Sequence, residues 1–312
     1  MDVVTIGESM ILFTPDSVGP LRFVNKFSKT IGGAESNVAI ALSRLGHSTG
    51  WISRLGDDEF GLYLRNYIRG EGVDTSQVIF DKQHFTSIYF KERKISGDPK
   101  VYYYRKGSAT SFMSPIDLDK QYIMNADYLY VTGITPALSQ SCNEVINRAI
   151  NIAVENEKTV IFDPNIRLKL WSQEEASRTL KQIATRCDII LTSLDEGTMI
   201  TGEENPEKVS ESFLNMGARI VVVKMGEKGA YFQDDQGQRD YVQANHMKHV
   251  VDTVGAGDGF NAGFISGLIR GFKTREAVEL GNRVGAFALT VTGDVEGYPL
   301  WSQIENRAEI LR

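Results

Sequence analysis

The chain predicts a doubly wound α/β fold, a mainly parallel sheet flanked by helices. Three observations carry that reading: short β-branched or apolar runs alternate with amphipathic helical patterns, small or polar residues follow each run, and one aromatic hairpin interrupts the alternation. The strand-like runs are Val3–Ile6 and residues 127–131, 159–162, 188–191 and 219–223, apolar on both faces as buried parallel strands are. Helical patterns lie between them at 34–45, 59–69, 139–155, 173–186 and 206–216. Ligands of such sheets sit beyond the carboxyl ends of the strands. Gly7, Thr132-Gly133, Asp163-Pro164-Asn165 and Lys224 all fall there.

The interruption consists of residues 86–93 and 100–105, joined by the turn composition Lys94-Ile95-Ser96-Gly97-Asp98-Pro99. Ile88-Tyr89-Phe90 and Val101-Tyr102-Tyr103-Tyr104 put aromatic rings on both faces, so something must cover this hairpin. The rings either reach a ligand or simply pair across the strands. Which tyrosines point inward depends on register, and the reading favours Tyr89 and Tyr104.

With 312 residues, 42% of them hydrophobic and 24% charged, the chain is expected to form a single α/β domain over 1–312. A formal charge of −6 and a pI near 5.4 argue against nucleic-acid binding and for a small-molecule partner. Cys142 and Cys187 are isolated and no secretory signal is evident, which predicts reduced thiols and a cytoplasmic protein. No apolar run approaches the ~18 residues of a membrane span. His246 and His249 are expected on a surface loop, not around a metal.

Near the C-terminus, Asp252-Thr253-Val254-Gly255-Ala256-Gly257-Asp258-Gly259-Phe260 places a glycine-rich turn and a carboxylate at the start of a helical apolar pattern. Glycines at 255, 257 and 259 uncover backbone N–H groups, and the following helix adds unpaired donors and the positive end of its dipole. A phosphoryl group fits there, with Gly255, Ala256 and Gly257 as backbone donors and Asp258 as the base for an attacking hydroxyl. The plainer alternative is a tight turn with Asp258 as a helix cap. A second glycine motif, Ile31-Gly32-Gly33-Ala34-Glu35-Ser36-Asn37-Val38-Ala39, feeds another amphipathic helix, and Gly33 and Asn37 offer a hydroxyl-binding face. No Gly-x4-Gly-Lys-Ser/Thr occurs, and the late glycine run lacks the third spaced glycine of a dinucleotide fingerprint.

The two motifs, in this order and spanning nearly the whole chain, resemble the signature of the ribokinase-like (PfkB) family of sugar and nucleoside kinases. The resemblance implies ATP and Mg2+ as cofactors. It also implies a small β-sheet lid, inserted at about 12–30 and 86–105, that covers the sugar and often joins subunits, hence a homo-oligomer. Tyr104-Arg105-Lys106-Gly107-Ser108-Ala109 and Asp163-Pro164-Asn165-Ile166-Arg167-Leu168-Lys169-Leu170-Trp171 resemble segments of the 2-keto-3-deoxygluconate kinases of that family. A guanidinium there has a chemical reason, since it binds the carboxylate of an acid sugar through two parallel hydrogen bonds. Arg105 and Arg167 are therefore substrate candidates, with surface ion pairing as the alternative for each and nucleotide phosphates as another for Arg167.

By the same resemblance, Asp294 contacts the substrate, Asn165 joins the nucleotide side, and Lys224, Gly226 and Gly229 lie where the triphosphate and ribose pass. Asn282 resembles an adenine-side residue. Ser193-Leu194-Asp195-Glu196 stands in place of the family's Asn-x-x-Glu motif, with Ser193 departing from it and Glu196 keeping it. Asp252 and Thr253 either shape the loop or hold a monovalent cation. The expected activity is ATP-dependent phosphorylation of 2-keto-3-deoxygluconate. A fructokinase or other neutral-sugar kinase is the alternative within the family, and a non-catalytic sugar or nucleotide sensor the alternative outside it.

Overall fold

A computed structural model describes residues 1–93, 100–245 and 250–305. The turn at 94–99 and the His246 and His249 pair lie outside the described residues. Among the described residues thirteen strands occur, in chain order: β1 Val3–Ile6, β2 Met10–Pro15, β3 Phe27–Gly32, β4 Thr49–Gly56, β5 Val78–Asp81, β6 Ile88–Lys91, β7 Val101–Tyr104, β8 Tyr128–Thr132, β9 Thr159–Asp163, β10 Ile189–Ser193, β11 Ile220–Lys224, β12 Ala230–Asp234 and β13 Arg239–Val242. Nine of them form one sheet in the order β13-β12-β11-β10-β9-β8-β1-β4-β5. The strands from β11 to β5 in that order are parallel, and β12 and β13 add an antiparallel edge.

Period-two alternation explains why these strands read as continuous apolar runs. Val3, Tyr130, Ile161, Leu191 and Val222 face one core, while Val4, Leu129, Val160, Ile190 and Val221 face the other. The first core is covered by Val38 and Leu42 of the helix Ala34–Arg44, Leu64 and Ile68 of Glu59–Gly70, Phe264 and Ile265 of Ala256–Ile269, and Val278 of Thr274–Ala288. Helices Gln140–Glu155, Gln173–Ala184 and Pro206–Asn215 cover the second through Val145, Leu180 and Phe213. Their starts obey local capping chemistry: the side chains of Asp58, Ser139, Ser172 and Asn205 each accept an orphan N–H of the first turn.

The doubly wound expectation therefore holds, and so does the second small sheet. Its order is β3-β2-β6-β7, with β2 leaving the main sheet three residues after β1. The chain order reverses across β1 and β8, neighbours in the large sheet, and such a switch point opens a crevice at the strands' carboxyl ends. Three strands escaped sequence reading. β4 carries Gly50 and Arg54 within its apolar run, and β5 and β13 are only four residues long.

Candidate active site

Two adjoining cavities open at that edge. The first, about 490 Å³, is walled by the ends of β1, β9, β10 and β11, by the small sheet, and by the starts of the Ala34 and Ala256 helices. The second, about 550 Å³, shares Lys224, Gly226, Thr253 and Gly257 with it and runs on to Ala244, Phe260, Asn282 and Leu289.

Between them lies the Gly255 turn. Gly255 is the N-cap of Ala256–Ile269 at φ +78°, a conformation that favours glycine, and no side chain caps this helix. A Cβ on Gly255 would fall 2.2 Å from the carbonyl oxygen of Asp294, and the Gly255 carbonyl accepts the Tyr298 hydroxyl at 2.9 Å. The expectation that Gly257 and Gly259 also belong to the turn is corrected: both are helical. Gly257 leaves open space on the cavity wall, while Gly259 lets Tyr298 and the Thr274–Ala288 helix approach. The backbone donors thus come from a bare helix N-terminus, with the dipole's positive end behind them.

Asp258 stands in the first turn of this helix and lines the first cavity. Loss of water pushes its carboxyl up to about 6, a rise that the Asn37 hydrogen bond, Arg167 and Lys224 restrain and that Asp163 reinforces. Asn37, one turn into the Ala34 helix, donates from Nδ2 to Asp258 Oδ2 at 2.8 Å, and its buried Oδ1 has no partner among the described residues. That orphan acceptor suits a substrate hydroxyl. Gly33 is the N-cap of the Ala34 helix, packed where a Cβ would meet the carbonyl of Glu8 at 2.4 Å.

Elsewhere on the first cavity, Tyr89 and Asp294 meet above Gly32. The Tyr89 hydroxyl donates to Asp294 Oδ2 at 3.3 Å, and a Cβ on Gly32 would lie 2.1 Å from that hydroxyl and 2.5 Å from Asp294 Oδ2. Burial drives the Asp294 carboxyl up to about 7, with Asp258 adding to the rise and Lys91 opposing it. Arg105 is 9% exposed and ion-paired with the fully buried Glu8 carboxylate, which also accepts the Ser108 hydroxyl at 2.9 Å. Arg105 Nε is buried without an acceptor among the described residues. Arg105 itself lines the first cavity.

Tyr104 does not belong to this wall, and the inward assignment made from sequence is corrected. The β6–β7 register opposes Tyr89 to Tyr103 and Ile88 to Tyr104, so it is Tyr103 that shares the cavity face with Tyr89, their rings stacked at 5.5 Å. Tyr104 is 58% exposed on the other face, edge-on to Phe90.

Asn165, Arg167, Ser193, Glu196, Lys224 and Gly226 also line the first cavity. Asn165 holds φ +38°, which asparagine tolerates better than most residues, and its N–H donates to Asp163 Oδ1 at 3.2 Å. Ser193 and Glu196 form a capping box for the helix Leu194–Thr201, and Glu196 also accepts the Ile166 N–H at 2.8 Å. Arg167 is exposed on the rim. Gly229 and Asn282 line the second cavity, where Asn282 donates to the carbonyl of Gln243 at 3.0 Å.

Sequence reading assigned no role to Glu8, Tyr103, Lys91, Asp163 or Asn261. Asn261 lies one helical turn beyond Asp258; its amide donates to Asp163 Oδ2 at 2.7 Å and accepts from Lys224 Nζ at 3.0 Å. This fixes the lysine beside the cavity, while burial raises the Asp163 carboxyl and Lys224 holds it down. The signal for Asn261 was its i+3 spacing from Asp258, and for Glu8 its place just past β1.

A doubly wound sheet with a polar cavity, a second cavity beside it and a bare helix N-terminus between them is built to present a small polar molecule to an anionic one. Comparison with known proteins agrees: a family model described as pfkB family carbohydrate kinase matches residues 1–301, and the chain belongs to that family. It is a carbohydrate kinase. The chain is 40% identical over 301 residues to 2-dehydro-3-deoxygluconokinase of Bacillus subtilis (strain 168), covering 96% of this chain and 93% of that one. It is 32% identical to Probable fructokinase-7 of Arabidopsis thaliana, covering 97% and 91%. Among solved structures, 2-dehydro-3-deoxygluconokinase of Thermotoga maritima superposes with a TM-score of 0.90 at 27% identity, over 98% of each chain. A putative ribokinase II of E. coli in complex with ATP and Mg2+ gives 0.90 at 26% identity, over 97% of each. Among the described residues no helix is long and apolar enough to cross a membrane.

Proposed function

We propose that this chain phosphorylates 2-keto-3-deoxygluconate (2-dehydro-3-deoxygluconate) at its terminal hydroxyl with ATP, giving the 6-phosphate and ADP. The observation that carries the choice of sugar is Arg105, a nearly buried guanidinium that lines the polar cavity and whose Nε is unpaired among the described residues. A neutral ketose leaves that donor unsatisfied, whereas the carboxylate of an acid sugar accepts from it. Asn37 Oδ1, Tyr89, Tyr103 and Asp294 supply the remaining polar and stacking contacts to the sugar.

In the proposed step the terminal hydroxyl oxygen bonds to the γ-phosphorus as the bond from that phosphorus to the bridging oxygen of ADP breaks. The hydroxyl proton passes to Asp258. The amides of the Gly255–Asp258 segment and Lys224 stabilise the charge on the transferring group. The second cavity takes the base and ribose, with Asn282 and Gly229 on its walls.

Among the described residues there is no group of three His, Cys, Asp or Glu placed to hold a metal ion. Asp163 and Glu196, which line the first cavity with Lys224, would hold Mg2+ together with substrate phosphates and water. When bound, Mg2+ neutralises phosphate charge. The Asp252 carboxylate, for which the resemblance offers either loop shaping or a monovalent cation, is paired with Lys91.

We extend the reading to a homo-oligomer through the small sheet, whose outer face carries Phe13, Phe27, Phe90 and Tyr104 in mutual ring contact. Sedimentation velocity tests this: a monomer at micromolar concentration contradicts it.

ADP release with Mg-ATP and a panel of 2-keto-3-deoxygluconate, fructose, ribose, gluconate and adenosine tests the substrate. Selective turnover of the keto-deoxy acid is the expected result. Preference for fructose or ribose overturns the Arg105 argument, and no sugar-dependent release from any of them overturns the proposed reaction.

A further inference from the structure

Lys91 closes β6, a strand of the small sheet, yet its ammonium is bound on the other side of the cavity. Nζ lies 2.7 Å from Asp252 Oδ2, and both side chains are largely buried, 15% and 13% exposed. Asp252 in turn accepts the Val254 N–H through Oδ1 at 3.3 Å, so its carboxylate shapes the segment that enters the Gly255 turn. Two residues earlier on β6, on the same face, Tyr89 donates to Asp294, whose carbonyl packs against Gly255 from the other flank. One strand of the small sheet thus holds both sides of the turn.

We propose that Lys91 is a positioning residue for phosphoryl transfer: it acts through Asp252 to hold the Val254–Ala256 backbone in the shape that presents its N–H groups. The inference rests on the reading of the Gly255 turn as the phosphate site. Its physical basis is that a charge-assisted bond with little solvent around it resists both screening and side-chain wandering. Asp252 without its partner is a largely buried, unpaired carboxylate, and relief of that cost requires the segment to move toward water. Displacement of catalytic groups by an ångström costs up to about a hundredfold in rate.

The test compares Lys91→Met, Asp252→Asn, the double variant and Lys91→Arg in the full chain, by steady-state kinetics and by hydrogen exchange of the amides at 253–257. Lys91→Met and Asp252→Asn are each expected to lower kcat about tenfold or more with sugar KM changed by less than about threefold. The double variant should lose no more than the worse single, and the turn amides should exchange faster. Lys91→Arg, which keeps the charge, should recover most of both losses. Unchanged exchange at 253–257, or losses that multiply in the double variant, overturns the proposal. Faster exchange in Lys91→Met together with full turnover in Asp258→Asn instead leaves the coupling standing and removes the phosphate-site reading beneath it.

Discussion

Asn37 Nδ2 and Asp258 Oδ2 are 2.8 Å apart, and this one bond joins the first turns of two helices that lie 221 residues apart in the chain. An amide nitrogen can only donate, so Asp258 Oδ2 is the acceptor of this bond, and accepting favours the charged carboxylate that a general base requires. The same bond favours the charged carboxylate against the burial that raises it to about 6.

A pH profile follows from that pairing. Asp258 must be ionised to accept a proton, so kcat/KM should fall as pH drops through about 6. Asn37→Ala removes an interaction that lowers the Asp258 pKa, so the acidic limb should move to higher pH. The midpoint of the limb is the quantity to compare, since the height also reflects lost sugar contacts. An unmoved midpoint would separate Asn37 from the titrating group.

The register of the small sheet gives a paired prediction. Tyr103→Ala removes a ring stacked on Tyr89 at the cavity and should raise sugar KM by about tenfold, given ~0.5–1.5 kcal/mol for such a ring pair plus the lost substrate contact. Tyr104→Ala, on the outer face, should leave sugar KM within about twofold. Equal effects from both would contradict the register.

Gly32→Ala tests the crowding around the sugar. Its Cβ would meet the Tyr89 hydroxyl and Asp294 Oδ2, so one or both must be displaced. Sugar KM is expected to rise by at least about tenfold while KM for ATP stays within a few-fold, because the second cavity is untouched. Nucleotide and sugar KM rising together would point to a general loss of fold, which a melting curve would reveal.

Glu35 predicts a stability effect. Fully buried, its carboxyl is driven from an ordinary 4.5 up to about 7 by loss of water, despite bonds from Thr132 and Thr135 at 2.7 Å each. The folded state therefore holds this proton more tightly than the unfolded chain does. The resulting stability is fully present below 4.5 and is lost as pH rises through about 7, an effect on the order of 3 kcal/mol. Glu35→Gln, which has no proton to lose, should flatten the fall in denaturation midpoint across that window. A wild-type profile that the substitution leaves unaltered would show that the carboxyl ionises freely in the fold.

The parts of the molecule that sequence made legible share a physical cause. Strands apolar on both faces, such as Ile220–Lys224, announce a buried parallel sheet, and a glycine followed by an uncapped helical pattern announces the Gly255 turn. Tyr103 and Tyr104 could not be told apart, because a two-residue period leaves the face open to a one-residue slip until Tyr89 is paired. Glycine types alone likewise did not separate the turn former Gly255 from the helical packer Gly259. Lys91 and Asp252 stand 161 positions apart, so no local pattern linked them.

Asp258 is the proposed acceptor of the attacking hydroxyl's proton. The most direct test is ADP release by Asp258→Asn, with Mg-ATP and saturating 2-keto-3-deoxygluconate, beside wild type. The expected result is a kcat lower by about a hundredfold to ten-thousandfold, with both KM values within a few-fold of wild type. A variant that turns over at close to the wild-type kcat would contradict it.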